Sequence, residues 1–297
     1  MTVVIDIGGT SIKYGVFQDG ALTQTGETPS FASQGGEKLM EVAVQTVRNI
    51  ATQNNMEPSM IGISTSGQVD TAAGTIRYAG PTIPNYTGFN VKGIFQSAFK
   101  RAGVKVLNDV HAAATGEAAF GAGQGVGDFL CLTYGTGVGG AIILDGKVYG
   151  GANGSAGEFG QIVTHSEVPN GQGFYERYAA VSILVANVQK VLPQVENGRQ
   201  IFEHINNPAV KTVVEAWIHE VLCGLSTLSH IFNPKLIVLG GGIMANPYII
   251  DTLERYKLDY LVPGLNNVTL KTAQLGNYAA LWGMGAVVGE RQFMHIS

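Results

Sequence analysis

The chain has 297 residues, 45% of them hydrophobic and 13% charged, with a formal net charge of −4. That is enough apolar material for one large or two medium domains and too little charge for a disordered chain. Weak acidity without a Lys/Arg cluster argues against nucleic acid or an anionic membrane surface as partner.

The 41 glycines have no period, which excludes collagen and points to tight turns. Cys131 lies in a strand-like run and Cys223 in a helix-like run, so buried thiols in a reducing compartment are expected rather than a bridge. Met1 to Asp6 carries no leader pattern, and no apolar run reaches about 18 residues. A cytoplasmic protein is expected.

Val3 to Ile7 is a β-branched run read as a buried strand. Gly8-Gly9-Thr10 turns, and Ile12, Tyr14 and Val16 alternate with Lys13 and Gly15 as a second strand. Asp19-Gly20 turns again into a third, Ala21 to Glu27. Strands follow the glycines, so this is neither a Walker-type loop nor a dinucleotide fingerprint, both of which need a helix there. Leu39, Val42, Ala43, Val47 and Ile50 predict a helix from Glu37 to Thr52. Met60 to Ser64 is a strand, and Thr65-Ser66-Gly67-Gln68 a polar turn. Tyr78 to Phe89 is a Pro/Gly/Asn-rich loop of the kind that carries binding residues. Val91 to Ala102 reads as a helix and Val104 to Leu107 as a strand.

Asn108-Asp109 then opens a helix that runs on from Ala112 to Phe120. A carboxylate there is an N-cap and a candidate general base. Gly121 to Asp128, "GAGQGVGD", is the expected hinge or domain boundary. Phe129 to Tyr134 is a strand, Gly135 to Gly140 a turn, Ala141 to Leu144 a strand, and Asp145-Gly146 turns into Lys147 to Tyr149. The second half thus begins as the first did, which predicts two similar halves facing a cleft. Gly150 to His165 is a glycine-rich loop containing Glu158. Phe174 to Val191 is predicted as one helix carrying Glu176, and Val210 to Ile231 as a long core helix. Leu236 to Leu239 is a strand ending in Gly240-Gly241-Gly242. A helix near Tyr248 to Tyr256, a strand near Val268 to Thr272 and an apolar helix from Ala279 to Gly289 complete the pass.

Glycine turns let backbone N–H groups approach phosphate closely. Gly8-Gly9-Thr10 and Gly135-Thr136-Gly137 both offer this, each with a threonine hydroxyl, although a single such turn is more often just a tight hairpin. Asp6 is placed to hold hydrated Mg²⁺, and Lys13 to add positive charge near a phosphate. Glu158 and Glu176 would be solvated carboxylates in most proteins, but Glu158 lies among five glycines. The six histidines show no metal-ligand spacing.

The segments "VVIDIGGTSIKYGVF", "LNDVHAAATGEAAFGAG", "LTYGTGVGGAIILDGKVYGGANGSAGEFGQIV" and "LIVLGGGI" together resemble the ROK family, and within it the sugar kinases acting on β-glucosides, N-acetylmannosamine or glucose. The resemblance implies an α/β protein with the actin-like ATPase (ribonuclease H-like) fold, two similar α/β domains around a central cleft. It implies a smaller domain of residues 1–117 plus 284–297 and a larger one of 118–283.

By the same resemblance, Asp6, Gly8, Gly9, Thr10 and Lys13 match the first phosphate motif. Gly135, Thr136, Gly137 and Gly139 match the second, and Gly240, Gly241 and Gly242 the turn beside adenosine. Asn108 matches the sugar-binding Asn and Asp109 the catalytic Asp. Glu158, Glu176 and Gly67 match further sugar-site positions, with Asn85 near Gly67.

The expected function is an ATP- and Mg²⁺-dependent sugar kinase phosphorylating a hexose or hexose derivative, at the 6-hydroxyl. The alternative is a sugar-binding regulator without chemistry. Two departures stand out. Gln161 occupies the position where many members place a zinc-binding His, and "PNGQGFYERYAA" lacks their cysteines, so no structural zinc is expected. Gln161 can still hydrogen-bond a sugar hydroxyl. The chain also starts at the phosphate hairpin, so no helix-turn-helix domain and no nucleic-acid partner are expected. A homodimer is the family expectation.

Overall fold

The computed structural model describes residues 1–166 and 172–289. The strands are β1 (Thr2–Ile7), β2 (Ser11–Gln18), β3 (Ala21–Pro29), β4 (Met60–Thr65), β5 (Gln68–Asp70), β6 (Thr75–Tyr78), β7 (Gly103–Asn108), β8 (Phe129–Tyr134), β9 (Val138–Leu144), β10 (Lys147–Val148), β11 (Leu236–Gly240) and β12 (Thr269–Thr272). The helices are α1 (Gly36–Asn54), α2 (Val91–Ala98), α3 (Asp109–Phe120), α4 (Glu176–Ala179), α5 (Val181–Gln189), α6 (Gly198–Glu203), α7 (Pro208–Phe232), α8 (Pro247–Tyr256) and α9 (Ala279–Val288).

The chain forms two compact units: Met1–Gly125, Asp145–Ala156 and Asn277–Ser297 in the first, Val126–Leu144 and Gly157–Gly276 in the second. These bounds differ from the sequence-drawn divisions at 117/118 and 283/284, because α3 and α9 each stay whole inside the first unit. Residues 290–297 lie outside the described residues. Within the expected hinge segment, Gly121 and Gly123 donate their N–H groups to the Glu117 carbonyl, and Ala122 donates to the Glu117 carboxylate at 2.8 Å. That part of the segment is tied down.

The sheet of unit 1 runs β3-β2-β1-β4-β7. β1 and β2 form the glycine hairpin, and β1, β4 and β7 are parallel. Residues along β1 alternate between two layers. Val3, Ile5 and Ile7 pack with Leu39, Val47 and Phe95 of α1 and α2, while Val4 joins Ala112, Leu281 and Met284 of α3 and α9. Strands buried on both faces read as continuous apolar runs, and each fully buried aliphatic side chain contributes about 1.5–3 kcal/mol.

α3 and α9 are rich in Ala and Gly, which allows close approach. A Cβ on Gly283 would lie 1.7 Å from the Ala112 carbonyl oxygen. The short hairpin β5–β6 follows the β4 turn and was not anticipated.

In unit 2 the core strands run β9-β8-β11-β12, again an antiparallel hairpin followed by parallel strands. α7 buries Val210, Val214, Trp217, Ile218, Val221, Leu225 and Leu228 at helical spacing. Asn207 caps it and Pro208 opens it, the asymmetry expected of a helix start. Cys131 is buried in β8, Cys223 is half-buried on α7, and both are thiols. Among the described residues no helix is long and apolar enough to cross a membrane.

Candidate active site

Parallel strands bring their carboxyl ends together, which is where α/β sheets place ligand-binding groups. In unit 1 the register sets Asp6 of β1 beside Ser64 of β4, and Thr65 beside Asn108 of β7. The Ser64 hydroxyl donates to Asp6 Oδ1 at 2.7 Å, and Lys13 Nζ lies 3.7 Å from Asp6 Oδ2. Lys13 is therefore engaged with Asp6 across the hairpin. Loss of water raises the Asp6 pKa above its ordinary value, with Ser64 and Lys13 opposing that rise.

α3 begins at Asp109, and its cap is Asn108 rather than Asp109. Asn108 Oδ1 accepts from the N–H groups of Val110 and His111 at 2.9 and 3.1 Å. A carboxamide serves the cap as well as a carboxylate, and this leaves Asp109 available. Asn108 Nδ2 donates to the Gly67 carbonyl at 3.0 Å and to Asp109 Oδ1 at 2.9 Å. Asp109 Oδ1 also accepts from the Val110 N–H, and Oδ2 accepts from the Ser66 hydroxyl at 3.1 Å. Desolvation pushes the Asp109 pKa up to about 6, and the negative charge of Asp6 adds to the rise. The hydrogen bonds from Ser66 and Val110 oppose it.

Gly67 sits at φ +101, where a Cβ would lie 2.8 Å from the Tyr78 carbonyl oxygen. Only glycine fits that turn without strain. Asn85 is exposed with φ +54. Its neighbour Tyr86 is buried and hydrogen-bonded to the Thr65 hydroxyl at 2.9 Å, which ties the loop to the end of β4. Among the described residues, no hydrogen bond joins the Asn85 side chain to Gly67 or Asn108. Gly8 closes its turn by donating to the Ser11 carbonyl at 3.0 Å. Gly9 is half-buried beside Thr82, and Thr10 is exposed.

In unit 2 the glycine turn is shorter than expected. Gly135 donates to the Gly137 carbonyl at 2.9 Å, and β9 starts at Val138, so Gly139 and Gly140 are strand residues. The Ser182 hydroxyl donates to the Thr136 carbonyl at 2.7 Å and pins this turn to α5. Gly241, at φ +110, would meet the Tyr134 carbonyl oxygen at 2.1 Å if it bore a Cβ. Gly240 is buried at the end of β11, and Gly242 is exposed.

Glu158 is exposed and precedes a single 3-10 turn over Phe159–Gln161. Gln161 Nε2 donates to Glu176 Oε1 at 2.7 Å, and the Val138 N–H donates to Glu176 Oε2 at 3.4 Å. The single helix expected over Phe174 to Val191 is two. α4 and α5 are separated by Ala180, which has extended backbone at φ −65, ψ 148. Part of the preceding segment, residues 167–171, lies outside the described residues.

Sequence reasoning missed Ser64, Ser66 and Tyr86. A hydroxyl at the end of a buried strand was the available signal, but only the sheet register says which carboxylate it meets. Among the described residues no group of three His, Cys, Asp or Glu is placed to hold a metal ion. Asp6 with the Ser64 hydroxyl is a hard-oxygen set, and one carboxylate plus retained waters suits Mg²⁺.

Two sheets that each join an antiparallel hairpin to parallel strands give this chain the actin-like ATPase fold. The chain belongs to the ROK family, whose sequence model matches residues 2–291. It is 40% identical over 291 residues to an uncharacterised protein of Clostridium perfringens, covering 94% of this chain and 95% of that one. It is 30% identical over 287 residues to a β-glucoside kinase of Listeria innocua, covering 94% of each. Among solved structures it is similar to a ROK family glucokinase from Streptomyces griseus in complex with glucose and AMPPNP. The TM-score is 0.83 at 28% identity, over 96% of this chain and 98% of that one. With sugar kinases as its named relatives, the chain is a phosphotransferase with an alcohol group as acceptor.

Proposed function

We propose that this chain is an ATP-dependent kinase that phosphorylates the 6-hydroxyl of a hexose or hexose derivative, such as a β-glucoside, glucose or N-acetylmannosamine. The observation that carries the reading is Asp109. It is a desolvated carboxylate at a strand-to-helix junction, held by Ser66, Asn108 and the Val110 N–H. Its pKa of about 6 leaves it mostly ionised at neutral pH and better able to hold a proton than an ordinary Asp.

In this mechanism the acceptor oxygen attacks the γ-phosphorus, its proton passes to Asp109, and ADP leaves. A loose transition state makes the proton transfer late, so positioning and charge neutralisation supply most of the acceleration. Asn108 and Gly67 bind acceptor hydroxyls in unit 1, with Asn85 near them. Glu158 and Glu176 offer the same chemistry in unit 2, with Gln161 hydrogen-bonded to Glu176. Gly8, Gly9, Thr10, Gly135, Thr136, Gly137 and Gly139 serve the phosphates, and Gly240, Gly241 and Gly242 the adenosine. Asp6 would hold Mg²⁺ through water, and the bound ion would neutralise phosphate charge. A homodimer fits the exposed apolar side chains Ile231, Phe232, Leu258 and Val262, and sedimentation tests it.

The decisive experiment is ADP release with glucose, mannose, N-acetylmannosamine, fructose and cellobiose, with ³¹P NMR of the product. Sugar-dependent ADP and a 6-phosphate are expected. No sugar-dependent ADP production across the panel would favour a sugar-binding regulator.

A further inference from the structure

Glu176 sits on the first residue of α4, a helix of only four residues. One turn is too short to hold itself, yet its neighbours are anchored from several sides. The Tyr175 hydroxyl donates to the Val221 carbonyl at 2.9 Å and lies 2.8 Å from the Tyr134 hydroxyl. Trp217 Nε1 donates to the Ala179 carbonyl at 3.0 Å. The backbone of Glu176 is thus fixed against α7 and β8. Its side chain is another matter, because a half-exposed Glu has several rotamers open to it.

Two donors remove that freedom: Gln161 Nε2 on one carboxylate oxygen and the Val138 N–H on the other. Gln161 is itself held in place. The Tyr175 N–H donates to the Ile162 carbonyl at 2.9 Å, and Val163 bridges to Phe174. Four residues after Gln161, His165 stacks on Tyr178 of α4 with ring centroids 3.6 Å apart, and its Nε2 lies 3.5 Å from Glu220 Oε2.

Space has also been kept clear around the carboxylate. A Cβ on Gly137 would lie 2.6 Å from Glu176 Oε2, whereas one on Gly160 would first meet the Val138 carbonyl oxygen at 2.3 Å. Gly137 thus leaves the carboxylate room that a side chain there would take. Each carboxylate oxygen keeps a second lone pair for an acceptor hydroxyl.

We propose that Gln161 is a positioning residue for acceptor binding, acting through Glu176 by fixing its carboxylate orientation before the acceptor arrives. The proposal rests on the reading of Glu176 as an acceptor-binding residue. Gln161 spends one amide N–H on this task, and the neutral amide leaves the carboxylate its full charge.

The test is a double-mutant cycle of Gln161→Leu and Glu176→Gln, with kcat and KM measured for whichever panel sugar supports turnover, at saturating ATP. Gln161→Leu raises the sugar KM about tenfold, as for one lost hydrogen bond to a charged group. It leaves kcat, the KM for ATP and Tm near their starting values, since Gln161 is exposed. Glu176→Gln raises the sugar KM at least as far, and the double variant matches Glu176→Gln alone.

Additive effects would overturn the proposal, because Gln161 would then meet the acceptor on its own account. An unchanged sugar KM in Gln161→Leu alongside a raised one in Glu176→Gln would also overturn it. A Glu176→Gln variant with unchanged sugar KM would instead remove the acceptor role of Glu176, and the proposal with it.

Discussion

The two units handle their carboxylates in opposite ways. In unit 1, Asp6 and Asp109 stand at the ends of buried parallel strands, and loss of water raises both pKa values. In unit 2, Glu158 is exposed, and Glu176 is half-buried and tied by an amide and a backbone N–H. A desolvated carboxylate gains basicity and suits proton transfer. A hydrogen-bonded one nearer the surface gains orientation and suits recognition. On the proposed reading, the carboxylate that takes the proton belongs to unit 1, and the carboxylates of unit 2 serve recognition.

The largest effect that tests this division is Asp109→Asn. It lowers kcat about 10³-fold, the range for losing a general base, and leaves the Kd for ATP unchanged by calorimetry. Near-normal turnover would remove Asp109 as the base. The same substitution stabilises the fold. A carboxyl raised in the native state above its reference value of 3.8 binds its proton more tightly folded than unfolded. Its contribution to stability is full below that reference value and is lost as pH rises through about 6. At pH 7 the native protein therefore carries a penalty on the order of 2–3 kcal/mol, and Asp109→Asn raises Tm by roughly 5 °C. A lowered Tm would mean that its hydrogen bonds outweigh its desolvation.

Next in size is the pH dependence. With Asp109 near 6, kcat/KM falls below that pH with a slope of one. Ser66→Ala removes a hydrogen bond that lowers the Asp109 pKa and moves this acid limb upward by about half a pH unit to one unit. An unmoved limb would assign it to another group.

Gly67→Ala comes after that. Its Cβ meets the Tyr78 carbonyl at a positive φ, so it costs about 1–2 kcal/mol of stability and raises the sugar KM. Smallest is Glu158→Gln, which raises the sugar KM about threefold, as for weakening one hydrogen bond, and leaves the acid limb in place. A shifted limb would put Glu158 in the proton path and end the contrast between the units.

Much of unit 1 was legible in the sequence because local chemistry decides it. The β-branched run at Val3 to Ile7, the turn at Gly8-Gly9-Thr10 and the Asn108-Asp109 junction each carry their own signal. The serines were not legible. Ser64 meets Asp6 across a parallel ladder between strands distant in sequence, and Ser66 meets Asp109 across 43 residues. The break at Ala180 was equally hidden, since alanine is a strong helix former. Its neighbours Tyr175 and Ala179 are bonded to α7, and such tertiary anchors override local propensity.

The packing of α9 on α3 reaches into the life of the chain before it is an enzyme. α9 follows every residue of unit 2, yet Gly283 fits under the Ala112 carbonyl on the helix that begins with Asp109. Synthesis runs from the N-terminus and domains tend to fold as they emerge. Unit 1 is an exception, because its sheet can form early but α3, which packs on Val4 and Phe17 of that sheet, lacks its helical partner α9 until unit 2 has been made. A nascent chain can therefore fold much of unit 1 before the helix that begins with Asp109 is fully packed, and that packing is complete only when translation has passed α9.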